Sequence, residues 1–302
     1  MRVLVAGRTG QLAIELLERL PRYGHTVVAL EAPELDLTDP ESIRRAVEQA
    51  APEVIVNAAA YTAVDKAESQ RDLAFAVNAI GAGMLAAAAA ARGLPFVQVS
   101  TDYVFAGDGG APYNEDAPTG PASVYGESKL AGERAALAAN PRTAIIRTAW
   151  VCSPHGNNFV KTMLRLGRER EAVSVVADQH GAPTFAADLA DAIARMLPRL
   201  ATSPAGDAAF GVFHLTGTPW TTWHGFAEAI FAGAAARGYK VPQLSAITTA
   251  DYPTPARRPA DGRLDCGHIA RIHGIEAADW RQSLSHCLDA LIGHQTQQTQ
   301  HS

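Results

Sequence analysis

Short apolar runs alternate with amphipathic stretches along the first half of the chain. Five apolar runs are bounded by turn residues: Val3–Ala6, Thr26–Leu30, Val54–Val56, Pro95–Val99 and Ala144–Val151. Runs of this length predict strands that are buried on both faces of a parallel sheet, with helices between them. This alternation predicts an α/β fold, a doubly wound parallel sheet of Rossmann type with a smaller C-terminal lobe.

The alternation loosens after Val151. Four further elements are expected there: a helix over Phe159–Arg170, strands over Ser174–Val176 and Phe210–Leu215, and a helix over Trp223–Arg237. The last fifty residues read as loops and short elements. We therefore predict a dinucleotide-binding domain over residues 1–151, which also includes elements from about 174–216. Residues 152–173 and 217–302 are predicted to form a smaller substrate-binding lobe.

A glycine-rich turn lies between the first predicted strand and the first helix. Its sequence is Gly7-Arg8-Thr9-Gly10-Gln11-Leu12-Ala13. Glycines allow the tight turn and let backbone N–H groups approach a pyrophosphate at the helix N-terminus. Gly7 to Leu12 are therefore predicted to bind a dinucleotide. A plain turn with two glycines is the alternative, which the strand–loop–helix context disfavours.

The choice of dinucleotide stays open in the sequence. Glu31 ends the second strand, where an acidic side chain binds the ribose 2′-hydroxyl of NAD. Arg8 lies in the glycine turn and suits the 2′-phosphate of NADP. A solvated Glu31 is an equal alternative, so we expect NADPH or NADH. Asp36 and Leu37, before a helix that Thr38 or Asp39 caps and Pro40 begins, are also assigned to the cofactor side.

Small and polar residues follow the third and fourth strands, at the sheet edge where doubly wound folds bind ligands. The third strand opens into Asn57, followed by Ala58, Ala59, Ala60 and Tyr61, and these last four are predicted to contact the cofactor. Asn78 lies inside a predicted helix, where asparagine is unfavourable. It indicates either a buried hydrogen bond or a tolerated surface residue.

Ser100, Thr101 and Asp102 follow the fourth strand, and Tyr125 and Lys129 lie one helical turn apart on the next helix. A nearby ammonium group lowers the pKa of a tyrosine, so this pair is able to move a proton near neutral pH. A surface helix that happens to carry both residues is the alternative. The polar stretch upstream and the glycine turn favour catalysis.

Composition and charge narrow the classes of partner. The chain has 302 residues, 47% of them hydrophobic, and a formal charge of −5, which gives no support for nucleic-acid or membrane binding. Three scattered cysteines indicate reduced thiols. The start of the chain leads directly into a strand, and the longest apolar stretch, Met84–Ala91, is too short to span a bilayer. We expect a cytoplasmic protein.

Several stretches resemble the extended short-chain dehydrogenase/reductase superfamily and, within it, the dTDP-4-dehydrorhamnose reductase family. They are Gly7 to Leu12, Asn57 to Glu68, Ser100 to Phe105, Tyr125 to Glu133, Arg147 to Val151 and Gly156 to Phe159. They cover most of the first 190 residues in the same order. The last hundred residues match more loosely, through Trp223 to Phe231 and Arg258-Pro259.

The resemblance implies a mechanism. Reduced nicotinamide would deliver hydride to C4 of a dTDP-4-keto-6-deoxy sugar, giving dTDP-L-rhamnose for nucleotide-sugar and lipopolysaccharide biosynthesis. Tyr125 would protonate the alkoxide, Lys129 would lower the tyrosine pKa and hold the nicotinamide ribose, and Thr101 would bind the keto oxygen. Trp150 matches a family tryptophan beside the sugar.

The rest of the substrate side is assigned to two groups of residues. Asp102, Tyr103 and Val104 flank Thr101, and Asn157 and Asn158 offer neutral donors. The diphosphate of the substrate also needs cationic donors outside the dinucleotide-binding domain. Arg258 is the candidate, because a guanidinium group can donate two hydrogen bonds to phosphate oxygens at once. An exposed arginine beside a proline is the alternative.

The chain departs from the family in ways that affect metal binding. Arg8 and Ala13 are less usual in the glycine turn, and Cys152 stands where an aromatic residue is common. Some members bridge a dimer through Mg²⁺ with acids that include the match of Glu15. Ala187 occupies the position of another such acid, so no metal is predicted and a homodimer stays open.

Two rival functions remain. A sugar-nucleotide dehydratase or epimerase of the same superfamily is the first; a dehydratase needs adjacent acids, and Tyr103 follows Asp102 instead. A non-catalytic nucleotide-binding subunit of another enzyme is the second. The intact set of Thr101, Tyr125 and Lys129 argues against it. The sequence does not fix thymidine as the nucleotide.

Overall fold

The computed structural model describes residues 1–298, with side chains described to residue 292; residues 299–302, at the end of the predicted smaller lobe, lie outside the described residues. The strands are β1 Arg2–Ala6, β2 Thr26–Leu30, β3 Val54–Asn57, β4 Phe96–Thr101, β5 Thr143–Thr148, β6 Val151–Cys152, β7 Ala172–Val176, β8 His180–Gly181, β9 Thr184–Phe185, β10 Gly211–His214, β11 Thr221–Thr222 and β12 Gln243–Ile247.

The helices begin and end at the residues that follow. They are α1 Gln11–Arg19, α2 Pro40–Ala50, α3 Val64–Ala67, α4 Arg71–Phe75, α5 Ala82–Ala90, α6 Val124–Ala139, α7 Phe159–Glu169, α8 Ala186–Thr202, α9 Trp223–Ala235, α10 Gly267–His273 and α11 Trp280–Gln298. A π-helical segment, Ala76–Gly81, joins α4 to α5.

Six parallel strands form the central sheet in the order β10-β5-β4-β3-β1-β2. The chain therefore starts one strand from the edge of the sheet, and the order of the strands reverses after β2, so that β1 lies between β2 and β3 as in a doubly wound fold. This confirms the predicted fold class.

Alternate residues of β1 belong to two apolar cores on opposite faces of the sheet. Val3 and Val5 pack with α1 and α8, whereas Leu4 and Ala6 pack with α2 and α5. All four are fully buried. A strand that is buried on both faces needs a continuous apolar run, which is why Val3–Ala6 carries no polar residue.

The smaller lobe has its own core of aromatic and aliphatic side chains. Helices α7, α9 and α11 pack around the two-stranded parallel sheet of β7 and β12. Strand β7 was predicted to belong to the dinucleotide-binding domain, but it pairs with β12 and not with the central sheet. Helix α8 packs on α1, and β10 pairs with β5.

Two elements differ from the sequence predictions. The fifth strand was expected to run to Val151, but β5 ends at Thr148 because Trp150 adopts a left-handed backbone with φ 49°. Val151–Cys152 then pairs separately with β9. The last fifty residues contain the long helix α11 and are not limited to short elements.

The helical run Arg71–Ala90 is long and apolar enough to cross a membrane by length and composition, with a mean hydropathy of 1.8. Its C-terminal part, α5, packs against α6 and α2 on one face of the central sheet. Core helices pass the same test of length and composition. The run is a weak indicator of a membrane span.

Candidate active site

A cleft of about 740 Å³ opens at the carboxyl ends of the central strands. It is lined by residues from the glycine turn, from the ends of β3, β4 and β5, and from α6. The cleft contains these predicted site residues: Gly7, Thr9, Gly10, Gln11, Leu12, Glu31, Ala58, Ala59, Ala60, Thr101, Asp102, Tyr103, Tyr125, Lys129, Trp150 and Asn157. We call it the active-site cleft.

The glycine turn has the backbone that a dinucleotide site needs. Gly7 has φ 109°, and a Cβ there would lie 3.4 Å from the backbone nitrogen of Ala59. Helix α1 starts after Gly10, and no described side chain caps its first amides. A Cβ on Gly10 would meet no described atom within 4 Å. Free amides at a helix N-terminus, beside an uncrowded turn, fit a pyrophosphate.

Glu31 and Arg8 meet at the outer end of the glycine turn. Glu31 Oε2 accepts hydrogen bonds from the Arg8 amide at 3.2 Å, the Thr9 amide at 3.1 Å and the Thr9 hydroxyl at 2.9 Å. Partial burial alone would raise the pKa of Glu31, but these bonds hold it below its usual range. The Arg8 guanidinium donates to the carbonyl of Ala29 and reaches Glu34 at 3.4 Å.

Besides Arg8, Asn158 and Arg258, four predicted site residues do not line the cleft. Asp36 accepts hydrogen bonds from the amide and hydroxyl of Thr38 and shapes the turn before α2. Leu37 and Val104 are buried in apolar cores. Tyr61 packs in a small apolar cluster under α6. Their assignment to cofactor or substrate contacts stays a prediction.

Helix α6 carries Tyr125 and Lys129 into the cleft. The Ser123 hydroxyl caps the helix by accepting from the amide of Gly126 at 3.2 Å. A side chain at Gly126 would collide with the carbonyl of Tyr103, 2.2 Å from an added Cβ. The helix is therefore pressed against the turn that follows β4, which brings Tyr125 beside Thr101.

The proton pair differs from the expected electrostatics. Burial raises the pKa of Tyr125 above its ordinary value, and a hydrogen bond with Thr101 offsets this only in part. Burial lowers the pKa of Lys129 to about 8, against the opposing effect of Glu133. Lys129 Nζ donates to the carbonyl of Val99 at 2.7 Å. The effect of the lysine on the tyrosine pKa stays a prediction.

Thr101 and Asp102 form a buried pair at the end of β4. The Thr101 hydroxyl donates to Asp102 Oδ1 at 3.0 Å and accepts from the Tyr103 amide at 3.2 Å. Asp102 is 2% exposed, and burial raises its pKa to about 7.

Asn78 makes the buried hydrogen bonds that its position in a helix indicated. Its Oδ1 accepts from the Tyr61 amide at 2.8 Å, and its Nδ2 donates to the Tyr61 carbonyl and the Ser128 hydroxyl at 3.0 Å each. The bonds tie the loop after β3 to α6. They fix the small residues at one wall of the cleft relative to the catalytic helix.

Trp150 forms the wall opposite α6 and is backed by Trp223, with ring centroids 3.7 Å apart. Gly181 leaves room for the indole, because a Cβ there would lie 2.8 Å from it. Asn157 is exposed and lines the cleft. Asn158 caps α7 and donates to Gln11 Oε1 at 2.8 Å, and its assignment as a substrate donor stays a prediction.

Arg258 lies behind Tyr103 and lines a neighbouring cavity of about 530 Å³. Its guanidinium donates to the Tyr103 hydroxyl at 3.1 Å and to Asp65 Oδ2 at 2.7 Å. Asp65 lies on α3, so this ion pair joins α3 to the smaller lobe. Arg258 does not line the active-site cleft itself, but it contacts Tyr103, which does.

Two hydroxyl groups in the cleft were not predicted. Ser100 and Thr148 line it, and their hydroxyls are buried with no hydrogen-bond partner among the described residues. Both lie at carboxyl ends of neighbouring strands, in β4 and β5, which is the signal that sequence reasoning had available. Buried polar atoms without partners indicate a site built for a polar ligand.

The acidic side chains around Glu15 already have partners. The carboxylate of Glu15 already accepts from Arg19 Nε at 2.9 Å, and the same guanidinium binds Asp191 at 2.5 Å. Asp188 accepts from the Ser283 hydroxyl at 2.6 Å. Among the described residues no group of three or more metal-ligating side chains occurs. Arg19 supplies the positive charge between these acids.

Comparison with known proteins gives consistent matches. The family model described as "RmlD substrate binding domain" matches residues 1–292. The dTDP-4-dehydrorhamnose reductase of Sinorhizobium fredii is 44% identical over 295 residues, covering 97% of this chain and 98% of that protein. The crystal structure of a dTDP-4-dehydrorhamnose reductase from Clostridium acetobutylicum superposes with a TM-score of 0.89 at 37% identity, covering 96% and 99% of the two chains. A Bacillus anthracis dTDP-4-dehydrorhamnose reductase in complex with NADP superposes with a TM-score of 0.87 at 36% identity, covering 95% and 98%.

Proposed function

The chain belongs to the dTDP-4-dehydrorhamnose reductase family, and on that premise we propose that it reduces the C4 keto group of dTDP-4-dehydro-β-L-rhamnose to give dTDP-L-rhamnose. It is an NAD(P)H-dependent oxidoreductase of nucleotide-sugar biosynthesis. One observation carries the proposal for this chain. Thr101, Tyr125 and Lys129 meet in a single cleft between a free helix N-terminus and Trp150.

The residues of the cleft fit a nicotinamide dinucleotide. The amides at the start of α1 would hold the pyrophosphate, and Glu31 or Arg8 would contact the adenosine ribose. The hydroxyls of Ser100 and Thr148, which lack partners among the described residues, would meet polar groups deeper in the cleft. When bound, the reduced nicotinamide supplies the hydride for the C4 carbon.

The chain's own residues handle the charge that develops on the keto oxygen. The Thr101 hydroxyl would donate a hydrogen bond to that oxygen, and Tyr125 would give it a proton. The Tyr125 phenol is protonated at neutral pH, and its pKa, which burial raises, has to fall for it to release the proton. Lys129, cationic below its pKa of about 8, would stabilise the tyrosinate left behind.

The sugar would lie against Trp150, whose ring is held by the stacked ring of Trp223. Asn157 would add a neutral donor at the mouth of the cleft. We propose that the diphosphate extends toward the cavity that Arg258 lines. Since Arg258 is already paired with Asp65, the diphosphate would have to compete with that carboxylate.

The dehydratase alternative lacks its second acid in the structure. The residue after Asp102 is Tyr103, and its hydroxyl accepts from Arg258. A non-catalytic role would leave the convergence of Thr101, Tyr125 and Lys129 unexplained. We propose a cytoplasmic enzyme, consistent with three free cysteines among the described residues.

The test is an assay of cofactor oxidation. Purified protein is mixed with NADPH or NADH and dTDP-4-dehydro-β-L-rhamnose, and the product is identified by chromatography and NMR. Parallel reactions contain other 4-keto sugar nucleotides with a different base or sugar. Formation of dTDP-L-rhamnose with equal loss of reduced cofactor supports the proposal. Absence of turnover with every substrate, by protein that binds cofactor, would support the non-catalytic alternative.

A further inference from the structure

The carboxyl group of Asp102 is enclosed beside the catalytic hydroxyl. It is 2% exposed, and its Oδ2 lies against Gly262, where an added Cβ would be only 2.5 Å away. Its other oxygen, Oδ1, is the acceptor for the Thr101 hydroxyl at 3.0 Å. The segment of the smaller lobe that contains Gly262 therefore presses the carboxyl onto Thr101.

The hydroxyl of Thr101 has one proton to donate and two lone pairs to accept hydrogen bonds. One lone pair takes the Tyr103 amide at 3.2 Å. If Asp102 is ionised, it can only accept, so the single Thr101 proton is held by the carboxylate. The hydroxyl then has no proton for a keto oxygen in the cleft.

A protonated Asp102 reverses this bond. The carboxylic acid would donate to the second lone pair of Thr101, and the Thr101 proton would be released toward the cleft. The Tyr103 amide and the Asp102 acid would then occupy both lone pairs of the hydroxyl. Its proton would be left for the oxygen of Tyr125, with which Thr101 is hydrogen-bonded, or for the substrate oxygen. This arrangement lets Thr101 stabilise the developing alkoxide.

The surroundings favour the neutral acid. Tyr103 and Tyr125 are the titratable groups whose pKa the Asp102 charge raises, and Asp261 precedes Gly262 in the segment against the carboxyl. Lys129 Nζ donates to the carbonyl of Val99, and Arg258 is paired with Asp65. Asp261 is paired with Arg263 at 2.6 Å. Burial is the largest influence on the Asp102 pKa, which it raises to about 7, and hydrogen bonds from Thr101 and the backbone oppose it.

We propose that Asp102 is a positioning residue that must be protonated to turn the Thr101 hydroxyl toward the keto oxygen of the substrate. The inference rests on the proposed reduction and adds a pH-dependent control to it. Asp102 acts through Thr101 and exchanges no proton with the substrate. The active form of the enzyme is then present below a pH of about 7 and is lost as the pH rises through that value.

The test compares pH profiles of kcat/KM for keto-sugar reduction from about pH 5.5 to 9. Wild-type enzyme should lose activity about tenfold per pH unit above the Asp102 pKa. Asp102→Asn carries a neutral amide that donates to Thr101 at every pH, and Asp102→Ala removes the competing acceptor. For both variants, kcat/KM should no longer fall near pH 7. It should fall only at the higher pH where Lys129 loses its proton.

Controls separate Asp102 from other groups. Lys129→Arg should keep the limb near pH 7, because arginine does not titrate in this range. In a Thr101→Val background, Asp102→Asn should cause no further change in the pH profile. Infrared difference spectra should show a protonated carboxyl band in wild type at low pH that Asp102→Asn lacks. Thermal melts and cofactor titrations show whether each variant is folded.

The outcomes are separable. An active wild-type enzyme with no limb near pH 7, or the same limb in both Asp102 variants, overturns the inference but leaves the proposed reduction standing. A folded Asp102→Asn that loses activity more than about 100-fold at every pH, while Asp102→Ala does too, shows that the carboxyl itself is needed and also overturns it. If wild type reduces no keto sugar at any pH, the proposed function fails first.

Discussion

Replacing Glu133 by glutamine should destabilise the protein and shift its activity profile, because Glu133 belongs to a buried ion pair under the catalytic helix. The carboxylate accepts from Arg147 Nε at 2.9 and 3.2 Å and from Nη2 at 2.7 Å. The two side chains are 2% and 5% exposed. The pair joins α6 to β5, and Arg147 also lies 5.0 Å from the ring centroid of Phe105.

The expected cost follows from the charge that is left behind. Glu133→Gln keeps the shape but leaves the Arg147 guanidinium buried without a counter-ion, which typically costs about 3–5 kcal/mol. His214, 3.4 Å away, cannot compensate, because burial and Arg147 lower its pKa to about 3 and keep it neutral. For a chain of this size, unfolding entropy of roughly 0.6 kcal/mol per kelvin converts this cost to a fall in Tm of about 5–8 °C.

Calorimetry and urea unfolding measure the change in stability, and Glu127→Gln on the same helix is the matched control. Glu127 pairs with Arg71 on the surface, with side chains 40% and 54% exposed, so its loss should cost at most about 1 kcal/mol. Glu133 also raises the Lys129 pKa against burial. Without its charge that pKa drops further, so the alkaline limb of kcat/KM should move to lower pH. Equal effects of the two substitutions, or an unmoved limb, would refute the reasoning.

Three further predictions concern the cleft. Tyr125→Phe should lower kcat by about 100-fold or more with cofactor affinity unchanged, because the proton donor is lost; steady-state kinetics with a wild-type kcat would remove Tyr125 from the mechanism. Glu31→Ala should weaken NADH relative to NADPH and Arg8→Ala should do the reverse, as ratios of kcat/KM will show; if neither ratio moves, neither residue selects the cofactor. Arg258→Ala should raise KM for the sugar nucleotide about tenfold without weakening cofactor binding, with Arg257→Ala as the neighbouring control; loss of cofactor affinity instead would contradict the proposed division between the lobes.

The central sheet was predictable because each of its strands has a local pattern of its own, a short apolar run between turn residues. Val3–Ala6 and Thr26–Leu30 are apolar runs flanked by turn residues, and both are strands in the structure. The cap at Asp39 with Pro40 was equally local. Such signals depend on a few neighbouring residues, so they can be recognised without knowledge of the rest of the fold.

The errors arise where distant parts of the chain compete for a residue. Asn158 looked like a free donor, but Gln11 and the start of α7 take its amide. Arg258 was assigned to the diphosphate, and only the structure shows that Asp65, far away in the sequence, already pairs with it. Strand β7 pairs with β12 across the smaller lobe, which no local pattern indicates.

The electrostatics of the site depend on burial in the same way. Tyr125 and Lys129 have the spacing of a coupled pair, but spacing does not show how deeply each is enclosed. Burial raises the pKa of Tyr125, and the ammonium group of Lys129 donates a hydrogen bond to the carbonyl of Val99. The role of Asp102 is likewise visible only once Gly262, from the smaller lobe, is seen against its carboxyl.

Transfer of deuterium from 4-deuterated NADPH is the most direct test of the proposed reduction. The purified enzyme is incubated with the labelled cofactor and dTDP-4-dehydro-β-L-rhamnose, and the product is examined by NMR and mass spectrometry. We predict dTDP-L-rhamnose with one deuterium at C4 and an equal amount of oxidised cofactor. A sugar nucleotide that is altered without net cofactor oxidation, or that carries no deuterium at C4, would contradict the proposed function.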